Sequence, residues 1–311
     1  MARGLALYHS LCTHSQPFHL WILCLDRETE EFLKNSNLSH ITLIPLKDFE
    51  DQALLSIKST RTAEEYFWTC TPSLPLYVLK NNPTLETIAY LDADLYFYFS
   101  PEPLYTELET NSIYIIPHRF PPQKKYREEI DGIFNVGMLI FKNNTEGNAC
   151  LNWWRERCIE WCYRTPENGK MGDQKYLDSF PKLFSGVTIS KHKGACVAPW
   201  NIKNYKVTKK ENTVYIDDQP LIFYHFFRLP IYKPAHFLPL TPPSHYTDWS
   251  PARLYIYDQY IRDLAETIKS SPDKLGMGAI ERPQISVQLI SGIRSSLRSM
   301  RRRIFYLAHK N

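Results

Sequence analysis

The stretch Ile88-Ala89-Tyr90-Leu91-Asp92-Ala93-Asp94-Leu95-Tyr96-Phe97 decides the fold, because it reads as a short apolar strand that holds two carboxylates. Charged groups are costly beside apolar packing, so Asp92 and Asp94 need a cation, a cluster of donors or water. Because strand side chains alternate with a period of two, we expect both carboxylates on one side, within reach of one ion. Oxygen ligands at this spacing favour a divalent ion of the magnesium or manganese type. The alternative is that the two aspartates merely end a strand and begin a turn.

Apolar runs of strand length alternate with helical patterns on both sides of this stretch, which is typical of an α/β protein. The sequence predicts strands over residues 18–25, 41–46, 112–116, 133–141 and 221–227, and helices over 3–11, 28–34, 148–164 and 253–269. It also predicts helical structure over 48–80, broken at Pro72 and Pro75, and a helix that starts near Gly172. Because an α/β fold normally begins with a strand, we expect that the first strand is missing.

The composition predicts a globular, reduced protein. At 311 residues with 43% hydrophobic residues, the chain can bury a large core. Its seven cysteines, an odd number without framework spacing, predict free thiols in the cytosol. Cys158 and Cys162 fall at helical spacing and favour core packing over a zinc site, which needs two more ligands nearby. The sequence has no signal peptide and no apolar run long enough to span a bilayer, so we predict a cytoplasmic location.

The basic residues are concentrated at the C-terminal end. Residues 281–311 hold seven basic residues and one acidic residue, so within the net charge of +4 the remaining body carries −2. A mildly acidic body argues against nucleic-acid binding, which needs clustered Lys and Arg along a face.

We predict a catalytic domain over 1–270, a linker over 271–283 and a C-terminal basic amphipathic helix over 284–311. Such a helix is expected to lie at an anionic membrane surface, which would make the protein peripheral there; the alternative is that it packs on the body. Its apolar positions are Leu289, Ile293, Leu297, Met300, Ile304 and Leu307, and its flanking arginines are Arg294, Arg298, Arg301 and Arg302.

Polar residues also stand at the edge of apolar structure in three other places: Asn135 with Gly137, Asp173 with Gln174, and His225. In an open α/β sheet, ligands bind beyond the carboxyl ends of the strands, so residues that close successive strands can converge there. A glycine inside a strand often marks where a ligand or another backbone comes close. The fingerprints for dinucleotide binding and for the phosphate loop are both absent from the sequence.

Four short motifs together resemble the family-eight glycosyltransferases and their bacterial lipopolysaccharide-type relatives. In chain order they are Leu91-Asp92-Ala93-Asp94, Phe134-Asn135-Val136-Gly137, Gly172-Asp173-Gln174 and Tyr224-His225, and they cover most of residues 1–228. The resemblance implies the Rossmann-like A-type glycosyltransferase fold, with a mixed, mostly parallel sheet flanked by helices. It also implies transfer of a hexose from a nucleotide-diphosphate sugar, most often a UDP-sugar, with retention of configuration. The acceptor would be a glycan, a lipid-linked sugar or a protein.

The resemblance further implies a metal ion, Mn²⁺ or Mg²⁺, held by Asp92, Asp94 and His225. Such an ion bridges the two phosphates of the donor and stabilises the charge that develops on the leaving group. A neutral imidazole is a competent third ligand. From the residues alone, His225 has a second interpretation as a core histidine satisfied by a backbone carbonyl.

The remaining site residues are also implied by the resemblance. Arg61 would reach the donor sugar or phosphates, Asn135 would hold a sugar hydroxyl, and Asp92, Gly137 and Arg228 would contact the donor. Asp173 and Gln174 would be the catalytic residues on the face where the acceptor attacks. Two of these residues have alternative interpretations, since Arg61 can pair with Glu64 or Glu65 and Asp173 can cap the helix that it begins.

The sequence departs from the family pattern after His225. Family members commonly place a glycine and a Lys-Pro-Trp run there, whereas this chain continues Phe226-Phe227-Arg228-Leu229-Pro230. Arg228 or Lys233 would then replace the phosphate-binding lysine. Retention leaves two routes, a covalent sugar intermediate or same-face attack. Because Gln174 is a poor nucleophile beside a carboxylate, we favour same-face attack, with the leaving phosphate accepting the proton of the acceptor.

Two other classes of protein fit parts of the same pattern. Haloacid-dehalogenase-like phosphatases also place an Asp-x-Asp after an apolar strand, but they need Thr or Val two residues beyond the second aspartate, where this chain has Tyr96. A non-catalytic protein that binds the membrane surface could keep the fold without the chemistry. The sequence therefore favours a transferase and leaves a phosphatase and a binding module as alternatives.

Overall fold

The structure is a computed structural model, and it describes residues 1–227, 229, 231–233, 251–270 and 279–281. Within this part of the chain, the helices are α1 (Ala2–His14), α2 (Arg27–Lys34), α3 (Leu46–Phe49), α4 (Gln52–Lys58), α5 (Ala63–Cys70), α6 (Ser73–Asn81), α7 (Glu102–Leu108), α8 (Arg127–Asp131), α9 (Thr145–Glu160), α10 (Phe180–Leu183) and α11 (Pro251–Ser270). The strands are β1 (Leu20–Cys24), β2 (Ile41–Pro45), β3 (Thr87–Leu91), β4 (Leu95–Phe97), β5 (Ile113–Pro117), β6 (Phe134–Lys142), β7 (Val187–Ile189), β8 (Val207–Lys210), β9 (Thr213–Ile216), β10 (Gln219–Pro220), β11 (Phe223–His225), β12 (Ile231–Lys233) and β13 (Ala279–Glu281).

The central sheet has four strands in the order β3-β6-β5-β7. Strands β3, β5 and β7 run in one direction, and β6 runs antiparallel to both of its neighbours. The inner strands are apolar along both faces, as expected for strands covered on both sides. In β5, for example, Ile113 and Ile115 face one layer of the core while Tyr114 and Ile116 face the other. The mixed α/β sheet flanked by helices that the sequence predicts is confirmed.

Helices cover both faces of this sheet. On one face, Cys150, Leu151 and Trp154 of α9 are fully buried against the strands, with α5 and α6 beside them. On the other face, Leu7 of α1 and Leu104 of α7 belong to the cluster that includes the opposite side of β5 and β6. A separate parallel pair, β1 with β2, packs against α2.

A second small sheet pairs β4 antiparallel with β11. Leu95 and Phe97 point toward the central sheet, whereas Tyr96 and Tyr98 pack against α11. The Tyr96 hydroxyl donates a hydrogen bond to Asp263, and the Tyr98 hydroxyl donates one to a backbone carbonyl of α11. Helix α11 therefore holds this small sheet in place from its outer side.

The structure corrects four details of the predicted elements. Asp92 and Asp94 lie in a turn between β3 and β4, not on one strand. Pro75 does not break a helix, because it lies in the first turn of α6, where its missing N–H is not needed. Helix α9 ends at Glu160, ahead of Pro166. The helix predicted near Gly172 is a 3₁₀-helix over Gln174–Ser179.

The predicted linker over 271–283 and tail over 284–311 lie largely outside the described residues, so both stay predictions together with the 1–270 boundary. The cytoplasmic location and the binding to an anionic membrane surface also stay predictions. Among the helices that the structure describes, none combines the length and the apolar run that a bilayer crossing requires.

All seven cysteines are free thiols, as predicted, and Cys158 and Cys162 are buried in the core rather than in a zinc site. Six of the seven are buried and only Cys12 is half-buried. Burial raises the pKa of the Cys24 thiol to about 11 and that of Cys70 to about 12. Thiolate, the reactive form, is therefore scarce at Cys24 and Cys70.

We expect one thiol, that of Cys12, to react rapidly with Ellman's reagent in the native protein, because the others are shielded from it. The replacement Cys12→Ser should remove the fast phase, and unfolding in guanidinium should expose the remaining thiols. A fast phase of two or more equivalents, or one that survives Cys12→Ser, would contradict this arrangement.

Candidate active site

The carboxyl ends of β3 and β5 and the amino end of β6 meet at one edge of the central sheet. This follows from the strand register, which pairs Leu91 with Met138 and Ile116 with Asn135. The backbone N–H of Asp92 continues the ladder by donating to the carbonyl of Gly137 at 2.8 Å. The turn that contains both aspartates is therefore fixed against the start of β6, at the edge where ligands of α/β proteins bind.

His225 reaches this edge through the second sheet. Strand β11 pairs with β4 so that His225 lies opposite Leu95, the residue after Asp94. Two backbone hydrogen bonds fix the register: His225 N–H donates to the carbonyl of Val197 at 2.8 Å, and Phe226 N–H donates to that of Asp94 at 2.9 Å. Because side chains alternate along β11, the imidazole points the same way as Phe223, toward the central sheet.

Asp92, Asp94 and His225 form a compact cluster whose ligand atoms all lie within 4.8 Å of one another. His225 Nε2 lies 3.0 Å from Asp94 Oδ1 and 3.8 Å from Asp92 Oδ2. The imidazole is only 3% exposed, whereas the carboxylates are 32% (Asp92) and 21% (Asp94) exposed. The site thus has a rigid nitrogen at its base and two oxygens that open to solvent. Two carboxylates and an imidazole at this spacing fit a divalent metal ion.

The electrostatics of the cluster are those of a buried ion pair. Burial alone would lower the pKa of His225, but the adjacent Asp94 carboxylate outweighs burial and raises that pKa well above its usual value. For Asp94, burial works to raise the pKa, yet the attraction and hydrogen bond of His225 hold it below the usual range. The pKa of Asp92 is raised, first by burial and then by repulsion from Asp94, against the attraction of His225. The imidazole therefore stabilises the charged form of Asp94 more than that of Asp92.

Asn135 and Gly137 lie directly beneath the imidazole. Asn135 Oδ1 is 3.1 Å from His225 Nδ1, and Asn135 is buried. A Cβ atom at Gly137 would lie 2.7 Å from Asn135 Oδ1 and 2.9 Å from His225 Nδ1. The glycine that the sequence singles out is thus required by the close approach of a histidine ring. His225 bonds to side chains, not to a backbone carbonyl, so the interpretation as an ordinary core histidine is wrong.

Asp173 is buried and lies close enough to Asp92 for the two carboxylates to repel each other. Its pKa is raised to about 7, first by burial and also by repulsion from Asp92, while a hydrogen bond from Thr71 opposes the rise. Asp173 makes no capping hydrogen bond, which does not support its interpretation as a helix cap. Tyr90 completes this group by donating from its hydroxyl to Asp92 Oδ1 at 2.8 Å.

Gln174 makes three hydrogen bonds to other groups of the protein. Its Oε1 accepts from Asn135 Nδ2 at 3.0 Å and from the Val136 N–H at 3.3 Å, and its Nε2 donates to the carbonyl of Asp131 at 2.8 Å. The amide therefore lies behind Asn135, with its oxygen and nitrogen both engaged.

Arg61 contacts the end of α9 and the segment that follows it. It donates to the Tyr163 hydroxyl and to the carbonyl of Ile159, and its guanidinium lies 3.9 Å from the centre of the Tyr163 ring. Glu64 pairs with Arg164 instead of Arg61. Arg228 lies outside the described residues.

Several residues at the site are not among the sequence predictions. Trp200 packs edge-on against His225, with ring centres 5.4 Å apart, and Cys196 donates from Sγ to Asn135 Oδ1 at 3.3 Å. Thr71 and Tyr90 flank Asp173 and Asp92. Of these, only Tyr90 has a usable sequence signal, because it stands two residues before Asp92 and would share its side of a strand. The others come from distant segments without a motif.

Two proteins of Bacillus subtilis (strain 168) are similar in sequence. The uncharacterized protein YfnD is 39% identical over 222 residues, which is 71% of this chain and 71% of YfnD. The uncharacterized protein YfnF is 35% identical over 231 residues, which is 72% of this chain and 76% of YfnF. No family model matches the chain.

Solved structures of glycosyltransferases are similar at a lower level. The bifunctional glycosyltransferase WbbM is 13% identical, with 86% of this chain and 49% of that chain covered and a TM-score of 0.49. Mouse xyloside xylosyltransferase 1 is 12% identical, with coverage of 73% and 92% and a TM-score of 0.46. GlyE of Streptococcus pneumoniae TIGR4 is 16% identical, with coverage of 86% and 60% and a TM-score of 0.45. Because all three TM-scores are below 0.5, these similarities say nothing about the reaction or the substrate of this chain.

We expect Gly137→Ala to destabilise the protein by about 1–3 kcal/mol, because the new methyl group must displace His225 or Asn135. The matched control is Gly4→Ala within α1, where a Cβ atom meets nothing within 4 Å. That change should stabilise the protein by roughly 0.5–1 kcal/mol, the usual gain in a helix. Urea unfolding measures both, and equal effects of the two substitutions would contradict the close approach at Gly137.

We expect Asp173→Asn to change how stability depends on pH. The unfolded carboxyl has a pKa of about 3.9, and the folded one has a pKa of about 7. Between these values the folded protein keeps a proton that the unfolded chain has lost, so the free energy of unfolding falls as the pH rises. The asparagine variant lacks this decline.

The free energy of unfolding of the Asp173→Asn variant, measured relative to wild type in EDTA, should therefore increase from pH 5 to pH 7. The slope should approach about 1.4 kcal/mol per pH unit. A difference that stays constant, or that shrinks as the pH rises, would contradict the shifted pKa.

Proposed function

The chain belongs to the same family as YfnD and YfnF of Bacillus subtilis, and we propose that it is a metal-dependent glycosyltransferase. In this proposal it moves a hexose from a nucleotide-diphosphate sugar, a UDP-sugar in the first instance, to an acceptor hydroxyl with retention of configuration. The proposal rests on one observation, the convergence of Asp92, Asp94 and His225 at the ligand-binding edge of an α/β sheet. The order of the four sequence motifs supports it.

The residues present fit a divalent metal ion. Asp92 and Asp94 each offer a part-exposed carboxylate oxygen, and His225 offers Nε2 from a fixed ring. When bound there, Mn²⁺ or Mg²⁺ would stabilise negative charge on a departing nucleotide diphosphate. Without an ion, Asp94 keeps its charge balanced by His225, which explains how two adjacent carboxylates are tolerated.

Asp173 is the residue that we place on the acceptor side. It is buried within the electrostatic reach of Asp92, and its pKa of about 7 lets it hold a proton near neutral pH. A protonated carboxyl can donate a hydrogen bond to a sugar hydroxyl, which a carboxylate cannot. Gln174 acts indirectly, because its side-chain oxygen accepts a hydrogen bond from Asn135. Arg61 and Arg228 are the further donor contacts that the sequence resemblance adds.

The acceptor that we propose is a glycan, lipid-linked or protein hydroxyl, and the basic tail over 284–311 would bring the protein to an anionic membrane surface where lipid-linked acceptors reside. Nucleic acid is not among the partners, because the body outside residues 281–311 has a formal charge of −2.

Donor screening tests the proposed reaction. Purified protein with Mn²⁺ should melt at a higher temperature in the presence of its own nucleotide sugar, because a ligand of the folded state stabilises it. The same sugar nucleotide should be slowly hydrolysed, with Mn²⁺-dependent release of nucleotide diphosphate. Release of phosphate from phosphoesters would instead support a phosphatase, and the absence of both activities would support a binding protein.

We expect Asp94→Asn to reduce Mn²⁺-dependent donor hydrolysis by roughly 100-fold or more, because loss of a ligand should cost at least as much as loss of its supporting contacts. The matched control is Asp218→Asn, which removes an exposed carboxylate that pairs with Lys193. Circular dichroism should show both variants folded. Wild-type hydrolysis in a folded Asp94→Asn variant would remove Asp94 from the site.

A further inference from the structure

The orientation of the Asn135 amide is fixed by the backbone. Gly137 N–H donates to Asn135 Oδ1 at 3.0 Å, and a backbone N–H can only donate. The atom that faces it must be the carbonyl oxygen of the amide and not the NH₂ group. Among the possible assignments of this side chain, this one is therefore set by an unambiguous donor.

The other half of the amide agrees with this orientation. Asn135 Nδ2 lies 3.0 Å from Gln174 Oε1, and this oxygen also accepts from the Val136 N–H. Nδ2 also lies 3.4 Å from His118 Nε2. His118 Nδ1 lies 3.0 Å from the carbonyl of Gly132, so it is the protonated nitrogen and Nε2 is the acceptor. Burial lowers the pKa of His118 to about 3, which keeps the ring neutral.

The orientation of the amide decides that Nδ1 of His225 carries a hydrogen. His225 Nδ1 lies 3.1 Å from Asn135 Oδ1, an acceptor, so Nδ1 carries hydrogen. Nε2 then points to Asp94 and Asp92 at 3.0 and 3.8 Å. To bind an ion through Nε2 the ring must be neutral, and with hydrogen on Nδ1 the neutral ring is the tautomer whose lone pair is directed at the carboxylates.

The amide has no capacity left for a ligand. Its oxygen accepts from Gly137 N–H, His225 Nδ1 and Cys196 Sγ, and its nitrogen faces Gln174 and His118. The residue is 6% exposed. A sugar hydroxyl could reach it only by displacing one of these partners.

From these contacts we propose that Asn135 is a positioning residue, which fixes the ring orientation and the Nδ1–H tautomer of His225, and that it does not bind a sugar hydroxyl. The inference rests on the proposed function, since it concerns the histidine of the proposed metal site. It assigns to Asn135, Gln174 and His118 one connected set of hydrogen bonds behind the ligand. Contacts of this kind typically change metal affinity by 10- to 100-fold when they are lost.

The test compares three variants of the full chain by the electron paramagnetic resonance signal of free Mn²⁺, without donor. Asn135→Ser removes the oxygen that orients His225 and should weaken Mn²⁺ binding 10- to 100-fold. Asn135→Asp, with the carboxyl protonated on the oxygen that faces Gln174 and His118, keeps an acceptor oxygen at Nδ1 and should stay within a few-fold of wild type. The control is Asn143→Ser, just beyond the carboxyl end of β6 and away from the site. It removes an amide that donates to the carbonyls of Pro83 and Leu85, and it should leave Mn²⁺ binding unchanged.

Donor kinetics complete the comparison. A residue that binds a sugar hydroxyl would leave Mn²⁺ affinity unchanged in Asn135→Ser and raise the KM for the donor, and that result would overturn the inference. A folded Asn135→Asp variant with 100-fold weaker Mn²⁺ binding would also overturn it, even if Asn135→Ser does not fold. Wild-type protein that binds no Mn²⁺ would instead overturn the proposed function together with the inference, so the two failures are distinguishable.

Discussion

The short contact between His225 and Asp94 is the interaction on which the site depends. Two carboxylates beside a packed strand are unfavourable unless a positive group compensates for them, and the imidazole is the group that this chain supplies. It comes from a segment far away in the sequence, so the contact exists only if β11 pairs with β4 in one register. The backbone bonds from Phe226 to Asp94 and from His225 to Val197 fix that register.

This requirement explains why elements remote from the site belong to it. Strand β4 is three residues long and could not hold β11 by itself. Helix α11 packs its Tyr257 and Tyr260 against the outer face of the pair, and α1 packs beside it. On the inner face, Phe97 and Phe223 join the cluster that covers the central sheet. Apolar burial on both sides therefore positions the charged groups at the edge between the two sheets.

The sequence predicts the layers of the fold well, because strands buried on both faces leave long apolar runs, as β5 and β6 do. It predicts the pair Asp92 and Asp94 for a reason that the structure does not support. The two acids converge because a turn follows β3 and lies against Gly137, not because strand side chains alternate. The alternative interpretation of these residues as a turn describes the backbone correctly. His225, which lies opposite the turn, makes the two aspartates part of a candidate metal site.

What the sequence could not predict are pairings between distant segments. The glycine at 137 signals close approach, but not that a histidine ring is the group that approaches. Asn135 and Gln174 have the residue types of a sugar-binding site, yet their hydrogen bonds are made with each other and with His118 and His225. Thr71, Cys196 and Trp200 have no local pattern. The bridge between Val197 and Tyr224 of β11 brings the segment of Cys196 and Trp200 to His225, and the junction of α5 with α6 places Thr71 at Asp173.

The most direct measurement of the central claim is X-ray diffraction from crystals soaked in Mn²⁺, with data collected at the manganese absorption edge. The account predicts one anomalous peak at ligand distance from a carboxylate oxygen of Asp92, one of Asp94 and Nε2 of His225. An anomalous peak elsewhere, or a His225 ring turned away from the two carboxylates in the crystal, would contradict it.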